Sequence, residues 1–250
     1  MRQLAILCYH ALSPGWRASL SVAPAVFERQ ISHLIGSGWR PVTFSDAVLG
    51  SREGRLLAIT FDDAFASVRR YAAPILKRLG APATVFAPTA FVDAGAKLRW
   101  PGIDHWEAGA DAAELEAMTW ADLRALAAMG WEIGSHTCTH PRLTELDDRA
   151  LARELRQSRE RCAKELGTDC RTVAYPYGDV DARVRRAAAD AGYLAGACLS
   201  RSLRDEGPHA IGRIGIYHED GWLRFRLKLS APVRLARTLR LTGAHAAPPR

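Results

Sequence analysis

The 250-residue sequence lacks any apolar run of about 18 residues, the length that a membrane-spanning helix requires. Its first 15 residues, MRQLAILCYHALSPG, contain an apolar run of only about five residues, too short for the core of a signal peptide. Hydrophobic residues nevertheless make up 48% of the chain, enough for the core of one large domain. We therefore expect a cytoplasmic protein without a signal peptide.

Cysteine is scarce and unpaired in the sequence. The five cysteines are odd in number and form no CxxC motif, so a disulfide framework is not expected. We predict reduced, mostly buried thiols at Cys8, Cys138, Cys162, Cys170 and Cys198.

Acidic residues are missing after Asp220, although seven basic residues follow it. These seven equal the whole formal charge of +7, and residues 1–220 are neutral. We predict a folded domain over 1–220 and a basic amphipathic tail over 221–250. The first part of the tail alternates apolar and polar residues with period two, and its second part fits a helix. Such a segment is typical of contact with an anionic membrane, here the inner face, and the alternative is a final helix packed on the domain. No nucleic-acid motif accompanies the charge, so no nucleic-acid partner is expected.

Short apolar segments alternate with amphipathic segments along the chain. This alternation predicts a parallel sheet, and the absence of GxGxxG and GxxxxGK[ST] motifs favours an α/β barrel of about seven strands over an open, doubly wound sheet. Predicted strands are 4–9, 41–44, 56–61, 83–88, 131–135, 172–176, 193–198 and 211–217. Predicted helices lie within 24–38, 67–80, 119–130, 144–167 and 181–192.

Ionisable and polar residues follow four of the predicted strands. In such barrels the carboxyl ends of the strands carry the chemistry, so we expect these side chains to meet at one rim. They are His10, the pair Asp62 and Asp63, the pair His136 and His140, and Tyr177.

The two histidines of HTCTH share a face if the backbone turns helically, and with one carboxylate they form a triad for a divalent metal. Adjacent residues at a strand end point to opposite sides, so one acid of the Asp62–Asp63 pair can bind the metal while the other acts as a base toward water. Cys138 lies between the histidines but should face away from them, and we interpret it as a packing residue.

The segments TFDDAFAS, GSHTCTHPRL and AYPYGDVD resemble, in order and spacing, the motifs of the polysaccharide deacetylases (the NodB-homology domain, or carbohydrate esterase family 4). The resemblance covers about residues 4–217. It implies a distorted (β/α) barrel, TIM-like and forming a single domain, with one divalent metal ion, zinc by expectation. It further implies Asp62 as the general base, Asp63, His136 and His140 as metal ligands, and Tyr177 with Pro176 at the oxyanion.

The sequence departs from the family motifs at two positions. Ala64 replaces a glycine of the first motif, and Ala174 stands where the third motif often carries an arginine that steadies the base. Arg171 or Arg213 could supply the missing guanidinium.

The segment LCYHAL resembles the branch that deacetylates poly-N-acetylglucosamine. That resemblance implies His10 as the general acid, with His218 of GIYHED as the alternative.

The implied function is a hydrolase that removes N-acetyl or O-acetyl groups from a carbohydrate. Two alternatives stay open, namely an amide or ureide hydrolase acting on a non-sugar and a non-catalytic carbohydrate-binding relative. Trp100, Trp106 and Trp120 lie in or near an insertion at 97–120, where they either stack on sugars or cover the barrel.

Overall fold

A computed structural model of the chain describes residues 3–51, 53–93, 96–199 and 207–230. Its strands are β1 (Gln3–Tyr9), β2 (Ala11–Leu12), β3 (Ser21–Val22), β4 (Arg40–Val42), β5 (Arg55–Phe61), β6 (Thr84–Ala87), β7 (Glu132–Ser135), β8 (Thr172–Ala174), β9 (Ala195–Cys198), β10 (Ile211–Gly212) and β11 (Ile214–Gly215). Its α-helices are α1 (Pro24–Gly36), α2 (Phe44–Leu49), α3 (Ala73–Arg78), α4 (Trp120–Ala128), α5 (Asp148–Leu166), α6 (Ala182–Asp190) and α7 (Trp222–Leu229).

The main sheet is parallel throughout and runs β10-β9-β8-β7-β6-β5-β1-β11, with β4 also paired to β5. Only Arg213 separates β10, which pairs with β9, from β11, which pairs with β1. The segment 211–215 therefore joins the two ends of the sheet, and the barrel prediction is confirmed. Interruption at Arg213 turns the single predicted strand 211–217 into two short ones.

Helix ends follow the local chemistry of the sequence. Thr119 and Asp122 form a reciprocal capping box at the start of α4. Gly167 ends α5 in the left-handed conformation, at φ 67°. Pro74 lies in the first turn of α3, directly after a π-helical segment over Val68–Ala72.

Strand alternation divides the buried residues of β1 and β5 into two sets. Leu7 and Ile59 belong to the larger core, whereas Ile6 and Ala58 share a smaller cluster with residues of β8 and β9 across the barrel. This second set faces the barrel interior, and the same alternation carries on to His10 after β1 and to Asp62 after β5.

The start of the predicted tail is helical rather than extended. In α7, Phe225 is fully buried and packs with α1, which makes residues 222–229 part of the packed domain. Arg224 and Lys228 both pair with the buried Asp220, whose single negative charge offsets one of the seven positive charges of the tail. No helix in the described ranges is long and apolar enough to cross a bilayer.

Contact of the tail with an anionic membrane stays a prediction, because residues 231–250 lie outside the described residues. Leu223 and Leu227 are 80% and 59% exposed on α7, and four more arginines follow it in the sequence. Each basic residue near an anionic surface contributes about 1 kcal/mol, so we expect the full chain to sediment with anionic vesicles at low salt. A chain ending at Ser230 keeps the buried Phe225 and should bind less. Equal binding by the two chains, or none by the full chain, would contradict the prediction.

Candidate active site

The polar residues predicted at the strand ends meet in one cavity of about 280 Å³ at the carboxyl ends of the strands. Its lining includes His10, Asp62, Asp63, His136, His140 and Tyr177. A larger groove of about 550 Å³ lies between α1 and α7, where Gln3 marks the amino end of β1. That groove is at the opposite end of the barrel from these side chains, so the smaller cavity is the candidate site.

Asp63, His136 and His140 form a buried triad. Nε2 of each histidine lies 3.3 Å from Oδ1 of Asp63. The other ring nitrogen of His136, Nδ1, donates to the carbonyl oxygen of Ala174 at 2.8 Å. One ligand atom from each of the three residues lies within 4.8 Å of the others, a spacing suited to a single ion.

The chemistry of the triad fits a divalent cation. Oδ1 of Asp63 is buried and, among the described residues, has no hydrogen-bond partner. Such an atom is costly to bury unless a cation or donor meets it. Two carboxylates, Asp62 and Asp63, face one arginine, so the pocket carries a net negative charge when the histidines are neutral. Burial acts to lower the pKa of His136, but Asp62, Asp63 and the hydrogen bond to Ala174 together raise it, so these surroundings favour a positive charge at this position.

Asp62 is held by a bidentate ion pair inside the barrel. The two terminal nitrogens of Arg213 donate to its Oδ1 and Oδ2, each at 2.7 Å, and one of them also donates to Thr60 Oγ1 at 3.0 Å. Burial alone would raise the pKa of Asp62, but Arg213, together with His136 and His10, offsets burial and lowers the pKa below its ordinary value. Asp62 is therefore an ionised carboxylate with a fixed orientation at neutral pH.

The structure separates the two arginines considered from the sequence. Arg213 touches Asp62 from the segment that closes the barrel. Arg171 directly precedes β8, and its carbonyl accepts from the N–H of Leu194 at 2.8 Å. It therefore lies at the amino end of that strand, away from the cavity.

Cys8 also contacts Asp62, a contact that sequence reasoning missed. Its Sγ donates to Asp62 Oδ2 at 3.4 Å, and burial raises the pKa of this thiol. Cys8, His10 and Asp62 form a second close group of potential ligands. Both oxygens of Asp62 are already bonded to Arg213, so this group is less suited to a metal than the triad. Cys8 precedes His10 by two residues, so the two side chains point to the same face of the strand, and this spacing could have identified Cys8 as an interior residue.

His10 lies in the cavity, and His218 lies outside its lining. The His10 ring is buried and stacks on Tyr217, with centroids 6.2 Å apart and planes at 24°. Burial lowers the pKa of His10, and Asp63 and Asp62 offset part of that effect. His218 instead contacts Ser21, whose carbonyl oxygen is 3.2 Å from its Nδ1.

Tyr177 completes the rim next to the buried Pro176. Its ring meets the edge of His140 at 4.8 Å, and Arg142 covers the ring at 4.2 Å. Trp100 also lines the cavity, whereas Trp106 packs edge-on against Trp16 at 5.7 Å.

Left-handed backbone is concentrated at this site. All non-glycine residues with positive φ in the described part of the chain are here: Asp63 (69°), Ala64 (54°), Thr137 (66°), His140 (61°) and Tyr177 (60°). Each costs roughly 1–2 kcal/mol relative to ordinary conformations. The strain at Ala64 follows from the missing glycine of the first motif.

The left-handed turns explain how neighbours in sequence reach one pocket. Strand alternation would send Asp63 away from Asp62, but positive φ at Asp63 and Ala64 turns both carboxylates toward the cavity. His136 and His140 meet without a helical turn, the condition under which the sequence pattern placed them on one face. The connecting residues form a bend, in which the N–H of His140 donates to Thr137 Oγ1 at 3.2 Å. Cys138 points away, with its Sγ 3.5 Å from the carbonyl of Glu154, as expected.

The chain resembles known proteins over most of its length. A family model described as polysaccharide deacetylase matches residues 50–196. YxkH of Bacillus subtilis (strain 168), whose name also refers to this family, is 25% identical over 221 residues, which cover 86% of this chain and 71% of YxkH.

Solved structures share the fold. The deacetylase PplD of Streptococcus pyogenes, solved in complex with acetate, superposes with a TM-score of 0.77 at 21% identity, covering 91% of this chain and 98% of PplD. IcaB of Ammonifex degensii has a TM-score of 0.72 at 24% identity, covering 94% of this chain and 98% of IcaB. The family match spans more than half of the sequence, and the chain therefore belongs to the polysaccharide deacetylase family, whose members are metal-dependent hydrolases that deacetylate carbohydrates.

Proposed function

We propose that this protein is a metal-dependent N-deacetylase that hydrolyses the acetamide of an N-acetylated sugar and releases acetate and a free amine. The observation that carries the proposal is the joint placement of an arginine-held carboxylate, Asp62, a metal-type triad on Asp63 and a buried imidazole, His10, in one cavity.

Asp63, His136 and His140 would hold the metal ion. A divalent ion bound there, zinc by preference for two nitrogens and one oxygen, would polarise the acyl carbonyl and lower the pKa of a water molecule. Nδ1 of His136 donates to Ala174, and this contact leaves Nε2 as the ligand atom.

Asp62 is the proposed general base. A base must be ionised before it accepts a proton, and Arg213 keeps the Asp62 carboxylate ionised inside a buried site. The bidentate contact also fixes the plane of the carboxylate, so its oxygens are aimed before substrate arrives.

The backbone at Tyr177 is the proposed donor to the oxyanion. It follows β8 at the rim, and its left-handed conformation turns the chain beside the triad. A fixed N–H aimed at a developing negative charge stabilises the tetrahedral state more than the ground state.

His10 is the proposed general acid. An amide nitrogen leaves only after protonation, because an amine anion is too basic a leaving group. A buried imidazole next to Asp62 and Asp63 can supply that proton. An ester would need this acid less, so the presence of His10 favours N-acetyl over O-acetyl substrates. The likeness of its LCYHAL segment to the poly-N-acetylglucosamine branch supports the same choice.

The first prediction concerns the substrate. Purified protein loaded with zinc should release acetate from oligomers of N-acetylhexosamine and should leave cyclic ureides intact. Hydrolysis of ureides without release of acetate from the oligomers would instead indicate a hydrolase that acts on a non-sugar substrate. Binding of the oligomers without acetate release would favour the non-catalytic alternative.

The second prediction separates the two neighbouring acids. Asp62→Asn should retain metal and lose turnover by on the order of 10²-fold or more, since a proton acceptor is lost. Asp63→Asn should weaken metal binding, as should His140→Ala, because fewer ligands remain. Metal content by elemental analysis and acetate release on the same samples test this division, and identical phenotypes from the two asparagine variants would contradict it.

The third prediction concerns Arg213. Arg213→Met should abolish most activity and destabilise the fold by about 3–5 kcal/mol at neutral pH, because a buried carboxylate is left unpaired. Without the guanidinium, burial raises the pKa of Asp62, so the loss of stability in the variant is full above that raised pKa. It shrinks as the pH falls through the raised pKa, because Asp62 of the variant is then protonated while Asp62 of the wild type, whose pKa is lowered, is still ionised. Denaturant unfolding at pH 7 and pH 4 measures this. A loss of unfolding free energy that does not depend on pH would show that Arg213 acts through packing alone. Arg213→Lys, which keeps a positive charge, should recover part of the stability.

The fourth prediction assigns the general acid. His10→Ala should reduce turnover of amides while leaving metal content unchanged. Activity that requires protonated His10 declines as the pH rises through its pKa, which burial places below the ordinary histidine value. The alkaline limb of the wild-type profile should therefore be lost in His10→Ala. His218→Ala is the matched control and should behave as wild type; the opposite pattern would transfer the role to His218.

A further inference from the structure

The two histidines of the triad are oriented by different means. Nδ1 of His136 donates to the carbonyl of Ala174 at 2.8 Å, the usual way in which a protein fixes a ligating imidazole. Nδ1 of His140 is equally buried, yet among the described residues it has no hydrogen-bond partner. The hydrogen bond through which Ala174 orients His136 therefore has no counterpart at Nδ1 of His140 among the described residues.

Aromatic rings surround His140 instead. Trp100 stacks on it with centroids 4.0 Å apart and planes at 21°. Tyr177 meets it edge-on at 4.8 Å and 66°, and His136 does so at 4.9 Å and 65°. The stacked indole restricts rotation of the imidazole about the Cβ–Cγ bond of His140, because tilting the imidazole out of the parallel arrangement would lose the face-to-face contact.

Trp100 is itself fixed by its surroundings. Only 6% of its surface is exposed, and Phe91 packs edge-on against it at 5.3 Å. Its carbonyl accepts from the N–H groups of Ile103 and Asp104, each at 3.2 Å. The insertion that carries it is pinned by antiparallel bridges, one of which joins Lys97 to Glu116. Trp100 is thus a rigid wall of the pocket, and the face that covers His140 is not available to a sugar ring.

We propose that Trp100 is a positioning residue for His140, and that its stacked ring does for this imidazole what the Ala174 carbonyl does for His136. The inference rests on the proposed metal site. Its consequence is that Trp100 sets the affinity of the triad for metal, whereas a platform for sugar stacking would set substrate affinity alone.

The test is zinc affinity, measured by competition with a chromophoric chelator on wild type, Trp100→Leu and Trp100→Phe. Trp100→Leu should bind zinc about tenfold more weakly, the lower end of the effect of losing a partner that orients a ligating histidine. Trp100→Phe keeps an aromatic face and should recover most of the affinity. Trp106→Leu removes a tryptophan from the same insertion without touching the triad, and its affinity should equal that of wild type.

Circular dichroism should first establish that each variant is folded. If Trp100→Leu does not fold, Trp100→Met, which fills more of the space without offering a flat face, should show the same tenfold loss. Wild-type zinc affinity in the folded leucine or methionine variant, with a raised KM, would overturn the inference in favour of sugar stacking and leave the proposed function standing. Absence of zinc binding by wild type would overturn the proposed metal site itself and the inference with it.

Discussion

The rest of the site depends on the buried ion pair between Arg213 and Asp62. Arg213 lies between β10 and β11, where one segment joins both ends of the sheet, and its guanidinium reaches across the interior to the end of β5. The residue that closes the barrel therefore also orients the proposed base. A charge pair this deeply buried is retained only with good geometry, and the bidentate 2.7 Å contacts supply it.

This pair also determines what Asp63 can do. Because Arg213 is bonded to both oxygens of Asp62, no lysine or arginine of the described residues pairs with Asp63, which faces two imidazoles instead. A divalent ion would balance the charge of Asp63 and would bind its Oδ1, which has no hydrogen-bond partner in the described part of the chain. The strained turn at Asp63 and Ala64 brings the two like charges into one cavity, a conformation that is costly unless such compensation is present.

The two departures from the family motifs have different consequences. At position 174 the motif arginine is absent, but Arg213 supplies a guanidinium to Asp62 from the closing segment, and the Ala174 carbonyl orients His136. At position 64 nothing replaces the glycine, and alanine adopts φ 54° fully buried against the core. The first departure is compensated by another residue, whereas the second is tolerated as strain.

Sequence alone determined the barrel, most strand positions and the identity of the strand-end residues, because apolar periodicity and position along parallel strands are local properties. It also named Asp62, Asp63, His136, His140 and His10 as candidates, through spacing and family resemblance. Only the tertiary structure shows that Arg213 rather than Arg171 binds Asp62, that Trp100 stacks on His140, and that residues 222–229 form a helix packed on the domain. Those outcomes depend on contacts between residues far apart in the chain and on left-handed turns at non-glycine residues, for which the one-dimensional pattern carries no signal.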